Sequence, residues 1–194
     1  MSKGQETKAS ILDASLQIAS RVGFDALTIG QLADRTDMSK SGLFAHFRSK
    51  EQLQLQTLEW ARERFTDVVV RPTLAAPRGE PRVRALFERW LDWEQDGLSG
   101  GCVFVAASIE YDDQPGPMQD ELVRHQRDWT EFIATVAGTA VSEGHFRADL
   151  DTEQLAFALQ GLMLGYHHAH RLLRDPRALE RTRAGFEQLL ESAR

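Results

Sequence analysis

The stretch that most limits what this chain can become is Thr28–Phe47, Thr-Ile-Gly-Gln-Leu-Ala-Asp-Arg-Thr-Asp-Met-Ser-Lys-Ser-Gly-Leu-Phe-Ala-His-Phe. It reads as two short helices meeting at a tight corner. Thr28 can cap the first, whose inner face is Ile29, Leu32 and Ala33. Thr36-Asp37 has turn chemistry, and Ser39 can cap a second helix that turns Leu43 and Phe44 or Phe47 inward. The outward first turn of that second helix holds Ser39, Lys40, Ser41 and Gly42. All are small or cationic and none is acidic. A helix N-terminus attracts anions, and short side chains there let the backbone approach a DNA groove. The pattern predicts a helix-turn-helix, with a plain structural corner as the bland alternative.

The flanking residues sharpen the expectation. Ser39-Lys40-Ser41-Gly42-Leu43-Phe44-Ala45-His46-Phe47 followed by Ser49-Lys50-Glu51-Gln52-Leu53 resembles the signature of the tetracycline-repressor (TetR) family of transcriptional regulators. Arg21-Val22-Gly23-Phe24 and Leu27-Thr28-Ile29 resemble that family's first helix end and second helix start. The resemblance covers about the first quarter of the chain. One position departs from it: Phe44 stands where the family usually has Tyr, so a hydroxyl contact to phosphate is missing. The Gly101–Ala107 and Tyr111–Pro117 segments are similar to one subgroup of the family.

Taken over the whole chain, charge opposes DNA binding, because the 194 residues carry a net charge of −6. Residues 1–50 hold seven Lys/Arg against five Asp/Glu, and the remainder holds 16 against 24. The acidity therefore lies outside the proposed DNA-binding segment. Hydrophobic content of 42% and charged content of 27% suit a globular protein able to bury a core. The one cysteine, Cys102, forbids an intrachain disulfide and suits a reducing cytosol. No apolar run of about 18 residues and no signal-peptide core is present, so a cytoplasmic protein is expected.

Apolar spacing predicts helices throughout. Lys3–Glu6 read as a polar arm, and a helix follows from Thr7 to Val22, ended by Gly23. Ser49 caps a connecting helix that runs to about Val70. Three prolines and a glycine make 71–81 the best linker candidate. Further helices are expected from Pro81, over the apolar run Cys102–Ile109, from Met118 to Gly144, from Asp151 to about Leu173, and over the last residues. The expected fold is all-α: a three-helix head, residues 1–48, and a larger helical body for ligand binding and dimerisation, 49–194, whose first helix (49–70) connects the two.

Within the head, Lys40 and Ser41 are candidates for reading base edges. Thr28, His46 and Lys50 are candidates for phosphate contacts, with Ser39 and Gly42 completing the first turn. Phe44 either touches a thymine methyl or sugar or belongs to the core. In the body, Trp90, Trp93, Phe104, Trp129, Phe132, Met163 and Tyr166 fall at helical spacing, which is ordinary core as readily as a cavity. The resemblance implies a small-molecule effector there, with His125, Tyr166 and His167 as polar contacts. Ala158, Gly161, Gly165 and Ala169 form a second line on the Asp151–Leu173 helix, which with Leu179, Phe186 and Leu189 is expected to form a homodimer interface.

His167 and His170 are spaced like metal ligands, but no Cys or carboxylate accompanies them on that helix, so no metal and no cofactor is expected. Cys102, among Val103, Phe104 and Val105, reads as an inert buried thiol. No Gly-rich phosphate loop, Gly-x-Ser-x-Gly or His-Glu-x-x-His motif occurs. Together with the resemblance, this points to a non-enzymatic regulator that binds an operator and is released, as a repressor, by a small apolar molecule. An all-helical enzyme or carrier, or a constitutive DNA binder, is the alternative.

Overall fold

The structure is a computed structural model describing residues 3–194, with side chains from residue 4. Among the described residues it is helical with no strand. The α-helices are α1 (Lys3–Val22), α2 (Ile29–Thr36), α3 (Lys40–His46), α4 (Lys50–Phe65), α5 (Arg71–Ala75), α6 (Glu80–Asp92), α7 (Val103–Glu110), α8 (Pro117–Ser142), α9 (Thr152–His167) and α10 (Ala178–Ala193). Wider π-helical turns extend α4 over Thr66–Val70, α6 over Trp93–Gly97 and α9 over His168–Leu172. The backbone divides into two compact units. The first is formed by residues up to Thr66 with Gln95–His125, the second by Asp67–Glu94 with Gln126–Arg194.

In the first unit the helix starts follow local chemistry. Thr28, Ser39 and Ser49 each accept a hydrogen bond from the backbone N–H three residues on, satisfying donors that a helix start leaves free. At α2 the arrangement is reciprocal, because the Gln31 side chain accepts from the Thr28 N–H. Ile11, Leu12, Leu27, Leu32, Leu43, Phe47 and Leu53 close the core of this bundle. Each is at most 7% exposed, so the spacing read from the sequence does place one apolar face inward. Phe44 points the other way, at 53% exposed.

In the second unit α10 lies on α6 and α9. Phe87 of α6 stacks on Phe186 of α10 with ring centroids 4.0 Å apart and planes 15° from parallel. Outside this stack, Arg84 forks onto Glu187 at 2.5 and 2.8 Å, and Arg183 onto Glu88 at 2.7 and 2.7 Å. Arg194 closes the row on Glu80. Phe186, expected at a dimer interface, is thus a core residue of its own chain, 2% exposed.

Two further expectations need correction. Lys3–Glu6 are not an arm but the first turn of α1. The 71–81 segment is not a linker throughout: Pro72 sits in the first turn of α5, and Pro81 opens α6 as expected. Proline lacks an N–H that a helix start cannot use, so it opens a helix as readily as it ends one.

Candidate nucleic-acid interface

The cap at Ser39 fixes where α3 begins and therefore what its first turn presents. Ser39 Oγ accepts from Gly42 N–H at 3.1 Å and lies 3.1 Å from Ser41 Oγ. Lys40, Ser41 and Phe44 are exposed, and Gly42 and His46 are half-buried. The turn holds no acidic group, so the partial positive charge of the helix start is not cancelled. Thr28, exposed at the start of α2, and Lys50, exposed at the start of α4, flank it in sequence. Lys50 Nζ donates to the Asp25 carbonyl at 2.6 Å, which holds the ammonium without neutralising it. His46 lies beside Phe47, ring centroids 6.3 Å apart.

The charges around this surface are uncommitted. Among the described residues, Lys8, Arg21, Arg35, Lys40, Arg48 and Lys50 form no ion pair with a carboxylate. Beyond residue 50, at least twelve of the sixteen arginines do: 62, 64, 71, 78, 84, 89, 124, 147, 177, 181, 183 and 194. Free cations on a helix-turn-helix favour phosphate, because neutralising phosphates releases condensed counterions.

A second constellation, which the sequence did not advertise, surrounds the α1–α2 turn. The Glu110 carboxylate accepts from Phe24 N–H at 2.8 Å and from Asp25 N–H at 2.6 Å. Gln54 Nε2 donates to the Phe24 carbonyl at 2.8 Å, and the Tyr111 hydroxyl donates to Asp25 Oδ1 at 3.1 Å. Burial first, then the Asp25 and Glu110 carboxylates, push the Tyr111 hydroxyl well above the ordinary phenol range. It stays a neutral donor at any physiological pH.

The ligand candidates divide between the units. Phe104 and His125 belong to the first, where Phe104 meets Phe65 edge-on at 5.6 Å and His125 edge-on at 6.1 Å. His125 Nε2 lies 2.9 Å from Glu121 and 3.7 Å from Glu59. These three side chains bring donor atoms within 4.8 Å of one another, the one such group among the described residues. Arg62 forks onto Glu59 and Arg124 pairs with Glu121, so the carboxylates already have cations. The Arg62 hydrogen bond holds the Glu59 carboxyl below its usual range, against the opposing effect of burial. The cluster reads as a charge-balanced tie between α4 and α8.

Trp90, Trp93, Met163 and Tyr166 are buried in the second unit, with Trp129 and Phe132 half-buried and stacked at 5.8 Å. Trp90 meets Tyr166 edge-on at 6.1 Å, and Tyr166 stacks on His170 at 5.2 Å. His167 Nδ1 lies 3.0 Å from the carboxylate of Glu94, a side chain fully removed from solvent. His167 and His170 are therefore committed to different neighbours and do not converge on a common point. Glu94 escaped the sequence reading because nothing near it in the chain marks a buried acid.

The proposed interface line on α9 has open surroundings. A Cβ added at Gly161 or Gly165 meets nothing within 4 Å. Ala158, Ala169, Leu179 and Leu189 are half-buried. Phe157 is 73% exposed, and Leu164, Leu172 and Leu173 are exposed as well. The sequence reading missed these, although residues 157, 161, 164, 165, 168 and 172 share one helical face.

Comparison with known proteins matches both segments of the chain. Residues 11–57 match the family model of bacterial regulatory proteins, tetR family. Residues 79–186 match the tetracyclin repressor-like C-terminal domain. The regulator SrpR of Pseudomonas putida is 22% identical over 164 residues, 84% of this chain and 74% of that protein. A TetR transcriptional regulator from Chloroflexus aurantiacus superposes with a TM-score of 0.86 at 24% identity, covering 98% of this chain and 96% of that one. AibR, solved with isovaleryl coenzyme A and operator DNA, superposes at 0.68 and 19% identity, covering 83% and 85%.

Proposed function

The chain belongs to the TetR family of DNA-binding transcriptional regulators, and we propose that it is a homodimeric repressor released from its operator by a small, largely apolar effector. The outward first turn of α3 carries this reading, since it joins short side chains, an unopposed helix start and the unpaired Lys40. In this reading residues 1–48 bind DNA, and 49–194 serve effector binding and dimerisation. Lys40 and Ser41 read base edges, Thr28, His46 and Lys50 hold phosphate, and the exposed Phe44 packs on a sugar or a thymine methyl.

The effector site we propose keeps the second unit's aromatic set, Trp90, Trp93, Trp129, Phe132, Met163 and Tyr166, with His167 as its polar contact. Phe104 and His125 are left out because they are committed within the first unit. AibR, holding an acyl-coenzyme A and operator DNA together, is a relative in which ligand and DNA meet on this fold. The exposed stripe of Phe157, Gly161, Leu164, Gly165 and Leu172 supports a second copy of α9 as the partner surface. Two-fold pairing sets two recognition helices about one DNA turn apart. The protein acts in the cytoplasm and by binding rather than catalysis; among the described residues no helix is long and apolar enough to cross a membrane.

The test is selection of bound duplexes from a random-sequence library at several salt concentrations. A palindromic consensus whose affinity falls steeply with salt is expected. Failure to enrich any sequence would refute the reading.

A further inference from the structure

We infer that Glu110 and Tyr111, at the end of α7, are positioning residues for DNA recognition, acting through the turn that leads into α2. The inference rests on the DNA-interface reading above. The connection between α1 and α2 runs from Gly23 to Thr28, and the backbone N–H and C=O groups of its Phe24 and Asp25 are each engaged from a distant part of the chain. Both N–H groups go to the Glu110 carboxylate, 86 and 85 residues away in sequence. Both carbonyls go to α4, one to Gln54 and one to Lys50. The Asp25 side chain takes the Tyr111 hydroxyl, which also lies 3.4 Å from Gln54 Nε2.

Gly23 makes the approach possible. Its φ of +85° is a left-handed conformation that side chains disfavour. An added Cβ there would stand 2.8 and 3.0 Å from the two Glu110 oxygens. The carboxylate therefore occupies the space a side chain would need, and takes two donors that the end of α1 leaves outside its own ladder.

The consequence is geometric. Thr28, the cap of α2 and a phosphate candidate, follows the turn by three residues. Lys50, another phosphate candidate, is held by the turn's own carbonyl. Any displacement of α7 that withdraws Glu110 frees two N–H groups and loosens the entry of α2 together with the seat of Lys50. At its other end α7 carries Phe104, seated against Phe65 and His125, so both ends of this short helix are anchored. Charged hydrogen bonds of this kind are the strong ones, and losing an acceptor leaves donors unmet.

The experiment uses the full chain with Glu110→Gln and Tyr111→Phe. Glutamine keeps one acceptor and sets an N–H donor against another; phenylalanine keeps the ring and removes only the hydroxyl. Amide hydrogen exchange is followed along the chain, together with affinity for the duplex that the wild type selects and for a scrambled duplex. Glu110→Gln is expected to speed exchange at Phe24 and Asp25 and to weaken both duplexes alike, by about 10-fold, because Thr28 and Lys50 are phosphate candidates and phosphate contacts carry no base information. Exchange in α9 and α10 should not move, which general destabilisation would not leave unchanged. Tyr111→Phe should shift the same readouts in the same direction by less. Faster exchange at the turn with unchanged affinity for both duplexes would overturn the inference, and so would exchange that quickens as much in α9 and α10 as at Phe24 and Asp25. Should Glu110→Gln unfold the chain, Tyr111→Phe decides alone: a loss on both duplexes with exchange in α9 and α10 unchanged supports the inference, and no loss overturns it. A wild type that selects no duplex would instead sink the interface reading and this inference with it, and is recognised before any variant is made.

Discussion

Replacing Lys50 by alanine tests the phosphate assignment where a number can be worked out. The ammonium is exposed, makes no ion pair, and is anchored to the Asp25 carbonyl at 2.6 Å. Its full charge is therefore available to DNA. Each phosphate neutralised contributes about −0.9 to the slope of log affinity against log salt. A dimer that loses one contact in each head should have a slope shallower by about 1.8. Between 50 and 200 mM salt, a fourfold change, the penalty of Lys50→Ala should then shrink by about 12-fold, because the wild type loses the contact's benefit as salt rises. Fluorescence anisotropy on a labelled operator, titrated at four salt concentrations, measures both slopes. Lys50→Arg, which keeps the charge, should keep the wild-type slope. The loss should be the same on all sequences, since phosphate contacts carry no base information. An unchanged slope, or an altered preference at a single base position, would refute the assignment.

Three further outcomes follow from the packing and the charges. Gly100→Ala would drive a Cβ into the backbone of Ser20 and Arg21; overpacking against backbone costs ~1–3 kcal/mol. For a chain of this size that is a fall of roughly 3–10 °C in the calorimetric midpoint, and no fall would mean the loop does not approach α1 so closely. Gly165→Glu meets open space in the monomer, so it should leave the fold intact yet yield monomers by sedimentation that have lost operator affinity; a dimeric variant would move the interface elsewhere. The Arg194 hydrogen bond, and behind it that of Arg84, hold the Glu80 carboxyl below its ordinary value of 4.5. A lowered folded-state value means the contribution is present above the ordinary carboxylate range and lost as pH falls through the folded one. Arg194→Ala should therefore flatten the acid limb of stability against pH, measured by urea unfolding, and an identical limb would show the pair to be inert.

What the sequence revealed and what it hid divide along physical lines. Thr28, Ser39 and Ser49 were legible because a cap is a local bargain between one side chain and a backbone three residues on. The burial of Leu32 and Leu43 was legible because period alone sets it. Phe44 was not decided by period, since two aromatics three positions apart can each claim the inner face; the start of α3 at Lys40 settles it. Phe186 was placed on the right helix face but given the wrong partner, because amphipathicity tells which side is buried and not what buries it. Pro72 was read as part of a linker where it begins a helix, whereas Pro81 was read correctly as a helix start. Glu110 was invisible: its ligands are backbone amides more than eighty residues away, and a backbone amide leaves no mark in a sequence.

The net negative charge is reconciled with DNA binding by how the cations are deployed, not only by how many there are. Every lysine of the chain, at positions 3, 8, 40 and 50, lies within the first fifty residues, and all sixteen cations beyond are arginine. The two residue types suit different tasks. Arginine's planar fork matches a carboxylate, and Arg84 and Arg183 show it, each spanning both oxygens of a glutamate. Lysine is a compact, strongly hydrated charge on a flexible stem, suited to a phosphate whose position shifts with DNA shape. Exposed pairs in the body contribute little stability each, but they set a carboxylate beside most of its arginines. Screening at physiological salt limits the reach of exposed charges to about 8 Å, so DNA at α3 responds to Lys40, Arg48 and Lys50 rather than to the sum over the chain. Net charge is then a poor predictor of partner here, and the balance of unpaired charge on each segment is the better one.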